Sequence, residues 1–156
     1  QLTTLYLINL ILNIALAPLL GRAVARYGER NALAVEYFGL ALVFFAYGGI
    51  YLFGWGILIA ASLYILDHLF FALALAIKTY FQKIADPQDI AATAAVAFTI
   101  NHVAAIFLPV SLGFLWLISP FLVFCTAGTL AIFSFVLALL IPREPRIGKE
   151  TIFCVS

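Results

Sequence analysis

Residues 57–80 read ILIAASLYILDHLFFALALAIKTY, and up to Lys78 the only acidic or basic side chains in the stretch are Asp67 and His68. A helix rises 1.5 Å per residue, so about 20 apolar residues carry a chain across bilayer hydrocarbon. This stretch is long enough, and it is apolar on every face. A membrane strand would alternate apolar and polar residues over roughly ten positions. A helix also satisfies every backbone amide within itself, as lipid demands. The stretch therefore reads as a membrane-spanning helix.

Four more runs of the same kind lie around it, at 2–20, 31–53, 87–117 and 120–141. The expected architecture is an all-α, polytopic transmembrane bundle of five spanning helices over 1–142, with a polar tail at 143–156. Composition agrees: the chain is 66% hydrophobic and 10% charged, whereas soluble domains are roughly 45–50% apolar and about 25% charged. So few polar residues cannot cover the surface of a soluble fold of this size. The net charge of +1 offers no basic face for nucleic acid.

Local chemistry punctuates the runs. Pro18 falls in the last turn expected of the first span, and Gly21 follows it. Gly54-Trp55-Gly56 separates the second span from the third. Asp86-Pro87 and Asp89 offer an N-cap acceptor, a proline at the first helical position and a negative charge in the first turn of the fourth. Ser119-Pro120 repeats the device at the fifth span, which stops at Pro142. Pro109 removes one backbone bond from the fourth span and is expected to kink it.

All eight Lys and Arg residues fall between the spans or at their ends: Arg22, Arg26 and Arg30 after the first, Lys78 in the last turn of the third and Lys83 after it, Arg143, Arg146 and Lys149 after the fifth. The other two connections carry no charge, so basic and neutral connections alternate. Excess Lys and Arg mark the cytoplasmic side, which places the C-terminus there. The chain begins at Gln1 almost directly in an apolar run, without a signal-peptide pattern, and reads as a cut inside a longer protein. Cys125 in mid-span and Cys154 in the tail read as apolar filler and a free thiol, with no metal-type spacing.

Few polar groups lie within the spans. Asp67 is the sharpest candidate, because a carboxylate at mid-membrane costs roughly 2.5–3.5 kcal/mol to insert and must face protein, a partner or water. His102, beside Asn101, is expected at similar depth in the fourth span and is the expected partner of Asp67 in a proton-sharing pair. His68 points about 100° away from Asp67 on the helix. Asn9 and Asn13 share one face of the first span and read either as interhelical hydrogen-bonding groups or as cavity lining. Glu36 reads as solvated or paired with Arg30 near the membrane surface. Ala91, Thr93, Ala94 and Ala95 make a small-residue surface suited to close helix packing. Trp55 and Trp116 sit at the neutral ends, where an interfacial belt is expected.

The segment Gly21-Arg22-Ala23-Val24-Ala25-Arg26-Tyr27-Gly28-Glu29-Arg30 joins two spans. It resembles the loop signature of the major facilitator superfamily, Gly-x-x-x-Asp-Arg-x-Gly-Arg-Arg. Gly21, Arg26, Gly28 and Arg30 match, while Ala25 stands for the Asp and Glu29 for an Arg. The family carries a weaker second copy of this motif after its eighth helix. The stretch Lys78-Thr79-Tyr80-Phe81-Gln82-Lys83-Ile84-Ala85-Asp86-Pro87, with Asn101-His102 and Pro109 beyond it, is similar to the region of the tenth and eleventh helices in bacterial members.

The resemblance implies that the five spans correspond to family helices eight to twelve. Helices eight, ten and eleven border the central cavity in that family, and Asn9, Asn13, Asp67, His68 and His102 fall on the spans that would match them. It further implies alternating access by rocking halves, with the preceding helix and the N-terminal half as missing partners. The expected function is proton- or ion-coupled symport or antiport of a small solute across a bacterial inner membrane, with no cofactor and no enzymatic reaction. Two alternatives stand beside it. One is a non-transporting assembly or scaffold subunit. The other is an intramembrane enzyme using Asp67, His68 and His102 as an acid–base or metal cluster.

Overall fold

The computed structural model describes residues 2–153, and the Cys154 thiol lies outside them. It is all helical: α1 (Leu2–Tyr27), α2 (Glu29–Phe53), α3 (Ile57–Phe71), a 3-10 turn (Ala72–Ala74), α4 (Leu75–Ile84), α5 (Ile90–Ile118) and α6 (Pro120–Leu139). Five helical spans are long and apolar enough to cross a membrane, α3 and α4 forming one of them through the 3-10 turn. The chain is thus an all-α helical bundle of the multi-pass kind.

The first connection corrects the sequence reading. Residues 21–27, expected as loop, are the last two turns of α1, so Gly21 and Arg26 of the motif are helical. A helical glycine costs only about 1 kcal/mol relative to alanine, less than orphaning backbone groups at the membrane boundary. Pro18 is likewise absorbed within α1. The chain turns at Gly28 alone, with φ 82 and ψ 159, a conformation open essentially to glycine. Its N–H donates to Val24 O at 2.9 Å, and its carbonyl accepts from Ala32 N–H at 3.2 Å, so one residue serves both helices.

The start of α5 also differs. The helix begins at Ile90 with Asp89 at the N-cap, and neither Asp86 nor Pro87 opens it. Asp86 Oδ1 instead accepts the Gln88 N–H at 3.0 Å, forming a local turn that competes with helix there. Ser119 and Pro120 take the expected N-cap and first positions of α6, although the Ser119 side chain makes no capping bond.

The bundle is built around α2, which packs most extensively against α6 and next against α3. Lipid offers no hydrophobic drive between helices, so close approach must supply the attraction. Gly128 lies under the Phe45 ring and Gly48 beside Phe121. Tyr47 and Phe124 stack with centroids 5.2 Å apart, and Phe38 meets Phe135 at 5.8 Å. These pairs run in opposite order along the two helices, as antiparallel neighbours must. On another side of α2, Gly39 takes the Phe70 ring so closely that a Cβ there would lie 2.5 Å from it.

Two small apolar clusters result. One joins Val24, Ala32, Leu33, Leu73, Ala76 and Ala138, and the other joins Leu40, Ala41 and Ala131. By contrast α5 leans on α6 and has no buried residue, and Ala91, Thr93, Ala94 and Ala95 are exposed.

The basic segments come together at one end. Lys83 at the end of α4 pairs with Glu29 at the start of α2 at 2.7 Å. The Arg143 carbonyl lies beside Gly28. Tyr80 donates to the Glu150 carbonyl at 2.6 Å, and Ile152 N–H donates to Leu140 O at 3.0 Å, folding the tail back on α4 and α6. The neutral connections lie at the other end, where Trp55 packs on Gly49 and Trp116 meets Phe124 edge-on at 5.9 Å.

Candidate functional site

Asp67 sits half-buried on α3, four residues before the helix gives way to the 3-10 turn. Its Oδ2 lies 3.4 Å from Nδ1 of His68. The same nitrogen is 3.1 Å from the Tyr64 carbonyl, so a single Nδ1–H divides between a carboxylate and a backbone oxygen. The His68 ring packs on Tyr64, with centroids 4.4 Å apart. Across the interface, the Tyr47 hydroxyl of α2 approaches the Ala60 carbonyl of α3 at 3.5 Å.

Asp67, His68 and Tyr64 thus form one polar set on α3, of which the first two were candidates from sequence. Tyr64 stands one helical turn before His68, a spacing the sequence already contained, whereas Tyr47 comes to α3 only through the antiparallel α2–α3 contact. Tyr47 and Tyr64 also line an open groove of about 590 Å³, together with Thr4 and Leu5 of α1 and Ile57, Leu58, Ala60 and Ala61 of α3. The groove is mostly apolar with hydroxyls on its wall, a surface suited to a small amphipathic solute or a lipid chain.

The expected Asp67–His102 pair does not form. α5 packs on α6 and leaves His102 exposed, with its ring on Phe98 at 3.9 Å and Nδ1 2.9 Å from the Phe98 carbonyl. Asn101 beside it is exposed as well. Equal depth in two spans says nothing about which faces meet, and here they do not. The cluster of Asp67, His68 and His102 imagined for an intramembrane enzyme is therefore not assembled. No group of three or more His, Cys, Asp or Glu gathers among the described residues.

Asn9 and Asn13 do come together. Asn13 Nδ2 donates to the Asn9 carbonyl at 3.0 Å and reaches its Oδ1 at 3.3 Å. Asn9 is buried, and its own Nδ2 finds no acceptor. The pair borders a cavity of about 110 Å³ closed by Ile65 and Leu69 of α3. Residues 65 and 69 lie on one face of α3, and residue 67 lies about 200° from residue 65. The asparagine pair and Asp67 therefore occupy different sides of α3.

Of the motif residues, Gly28 makes the turn, Gly21 and Arg26 stand on α1, and Arg30 is in the first turn of α2. The Arg26 guanidinium lies 5.6 Å from the Tyr27 ring centroid. Glu29, which replaces a basic residue of the motif, is the one that binds a neighbour, through Lys83.

Glu36 is the largest departure from expectation. It is 2% exposed and makes no ion pair with Arg30 or any other described residue. Its Oε2 has no hydrogen-bond partner. The missed signal was periodic: residues 29, 33, 36 and 40 repeat at helical spacing, so both glutamates lie on the apolar stripe that α2 buries.

Compared with protein-family models, with curated proteins and with solved structures, the chain matches none.

Proposed function

We propose that the chain is part of a secondary active transporter of the major facilitator type, moving a small solute with a coupled proton or ion across a bacterial inner membrane. The observation that carries this reading is the Asp67–His68 pair at mid-span, with the His68 ring on Tyr64, which shares the wall of a groove with Tyr47. A half-buried carboxylate at that depth is costly and serves chiefly where solute, ions or protons pass.

Three further features support it. α1, the α3–α4 span and α5 are the least covered helices, and they are the ones assigned by resemblance to the cavity side. The best-packed pair, α2 and α6, corresponds to the two spans that the resemblance leaves away from the cavity. The basic segments gather at one end, which the positive-inside rule makes cytoplasmic.

In this reading Asp67 and His68 bind or relay the coupled cation, and the groove hydroxyls orient the solute. The turn at Gly28 lets α1 and α2 move as a pair while the halves rock. Asn9 and Asn13 line the small cavity between α1 and α3, and His102 faces the partner half. The test is uptake into proteoliposomes by the product of the complete reading frame, driven by an imposed pH gradient. Asp67→Asn is expected to abolish gradient-driven uptake, and His102→Ala to impair it. Wild-type uptake with wild-type pH dependence in both variants would remove the assignment, and an upstream sequence without further spans would remove the family reading.

A further inference from the structure

Glu36 lies outside the Asp67 site, and its surroundings are unusual for a carboxyl group. On α2 it falls between Leu33 of one buried cluster and Leu40 of the other. Leu33 packs with Leu73 and Ala76, and Gly39 packs on Phe70, so Glu36 is level with residues 70–76 of the neighbouring span. That stretch contains the 3-10 turn Ala72–Ala74, where the helix changes its bonding pattern. No cation approaches. Residues 70–76 hold no ionisable group, and neither do residues 131–138 of α6. In residues 20–24 of α1 the only one is Arg22, which is exposed. On α2 itself the nearest are Tyr37, Arg30, which lies about 240° around the helix from Glu36, and, two turns away, Glu29, while Tyr80 of α4 lines a cavity with Leu33 and Tyr37.

An ionised carboxylate held there unpaired would bear a penalty of several kcal/mol, and buried carboxyl groups without partners neutralise instead. We propose that Glu36 is a proton-binding site, carrying an exchangeable proton on Oε2 opposite the 3-10 turn and exchanging it with water at the basic end. The O–H bond forms with a proton taken from water on that side, and the proton returns there when the bond breaks.

Glu29 marks the route. It is buried on the same stripe, about 10 Å closer to that end at 1.5 Å per residue. One of its oxygens binds the half-exposed Lys83, while the other, Oε2, has no partner. Glu36 would add to the transport reading the place where a proton waits, which rests on that reading, but the protonation itself does not.

Infrared difference spectroscopy of the purified full chain in lipid tests the assignment without any transport assay. A protonated carboxylic acid has a C=O stretch well separated from carboxylate bands, and it moves down when the proton is exchanged for deuterium. Wild type is expected to show such a band at neutral pH, shifting in D2O. Glu36→Gln should remove it, while Glu29→Gln and Asp67→Asn should retain it. Glu36→Asp, which keeps the acid if Glu36→Gln does not fold, should move the band. A band unchanged in Glu36→Gln or Glu36→Asp, or one that D2O leaves in place, overturns the proposal. Loss of the wild-type band on adding sodium at constant pH overturns it as well, in favour of a metal-cation site. Wild-type uptake in Asp67→Asn and His102→Ala with the Glu36 band intact would overturn the transport reading alone, and loss of uptake in Asp67→Asn with no Glu36-dependent band would overturn the proton site alone.

Discussion

Replacing Gly28 with alanine isolates the backbone demand of the α1–α2 turn. The residue sits at φ 82 and ψ 159, and the nearest atom to an added Cβ is the Arg143 carbonyl oxygen at 3.8 Å, an ordinary contact. The cost is therefore conformational, with no clash to add to it. Occupying this region with a Cβ costs about 1–3 kcal/mol, and the stiffer unfolded chain returns about 0.4–1 kcal/mol. The net loss is about 1–2 kcal/mol. Gly21→Ala is the matched control, since Gly21 is helical and has nothing within 4 Å of its Cβ position. It should gain about 0.5–1 kcal/mol. The two variants should differ by about 2 kcal/mol, or roughly 30-fold in the unfolding equilibrium. Titrating purified chain in mixed micelles with a denaturing detergent, followed by tryptophan fluorescence and circular dichroism, measures that difference. Equal stability of the two variants would refute the claim that this one backbone angle makes the turn.

Gly39→Ala should destabilise by about 1–3 kcal/mol through overpacking on Phe70, and Phe70→Leu should restore part of the loss in a double-mutant cycle run by the same titration. Lys83→Ala strands the buried Glu29 carboxylate, so it should cost more than Glu29→Gln, which removes charge and partner demand together; the loss falls between the ~1 kcal/mol of an exposed pair and the ~3–5 kcal/mol of a buried one, and equal losses would count against the pair. Single cysteines at positions 55 and 149, in a background with Cys125 and Cys154 replaced, should react with an impermeant thiol reagent from opposite sides of sealed vesicles; labelling of both from one side would reverse the topology.

The spans were legible because lipid leaves little choice: 57–80 has to be helical once it is too apolar for water, and Gly54 and Ser119-Pro120 mark ends that the structure keeps. The basic connections were legible as a group and meet at one end. What sequence did not give was pairing. Whether Asp67 meets His102 depends on which helix faces which, and depth along a span carries no such information. The α1–α2 junction misled because Gly21, Arg22 and Arg26 look like loop chemistry, although only Gly28 needs a left-handed backbone. Glu36 misled because its charge suggested water, while its register with Leu33 and Leu40 pointed into the bundle.

The helix against which α2 rests most extensively is the last of the bundle to leave the ribosome. Chains emerge at about 5–20 residues per second, so α2 must wait in the translocon or in lipid while three further segments are made. During that interval its glycine faces at Gly48 and its Phe45 ring lack their α6 counterparts. A nonsense codon anywhere before Pro120 would leave that helix orphaned for good, and the product would be a substrate for membrane quality control rather than a weaker version of the protein.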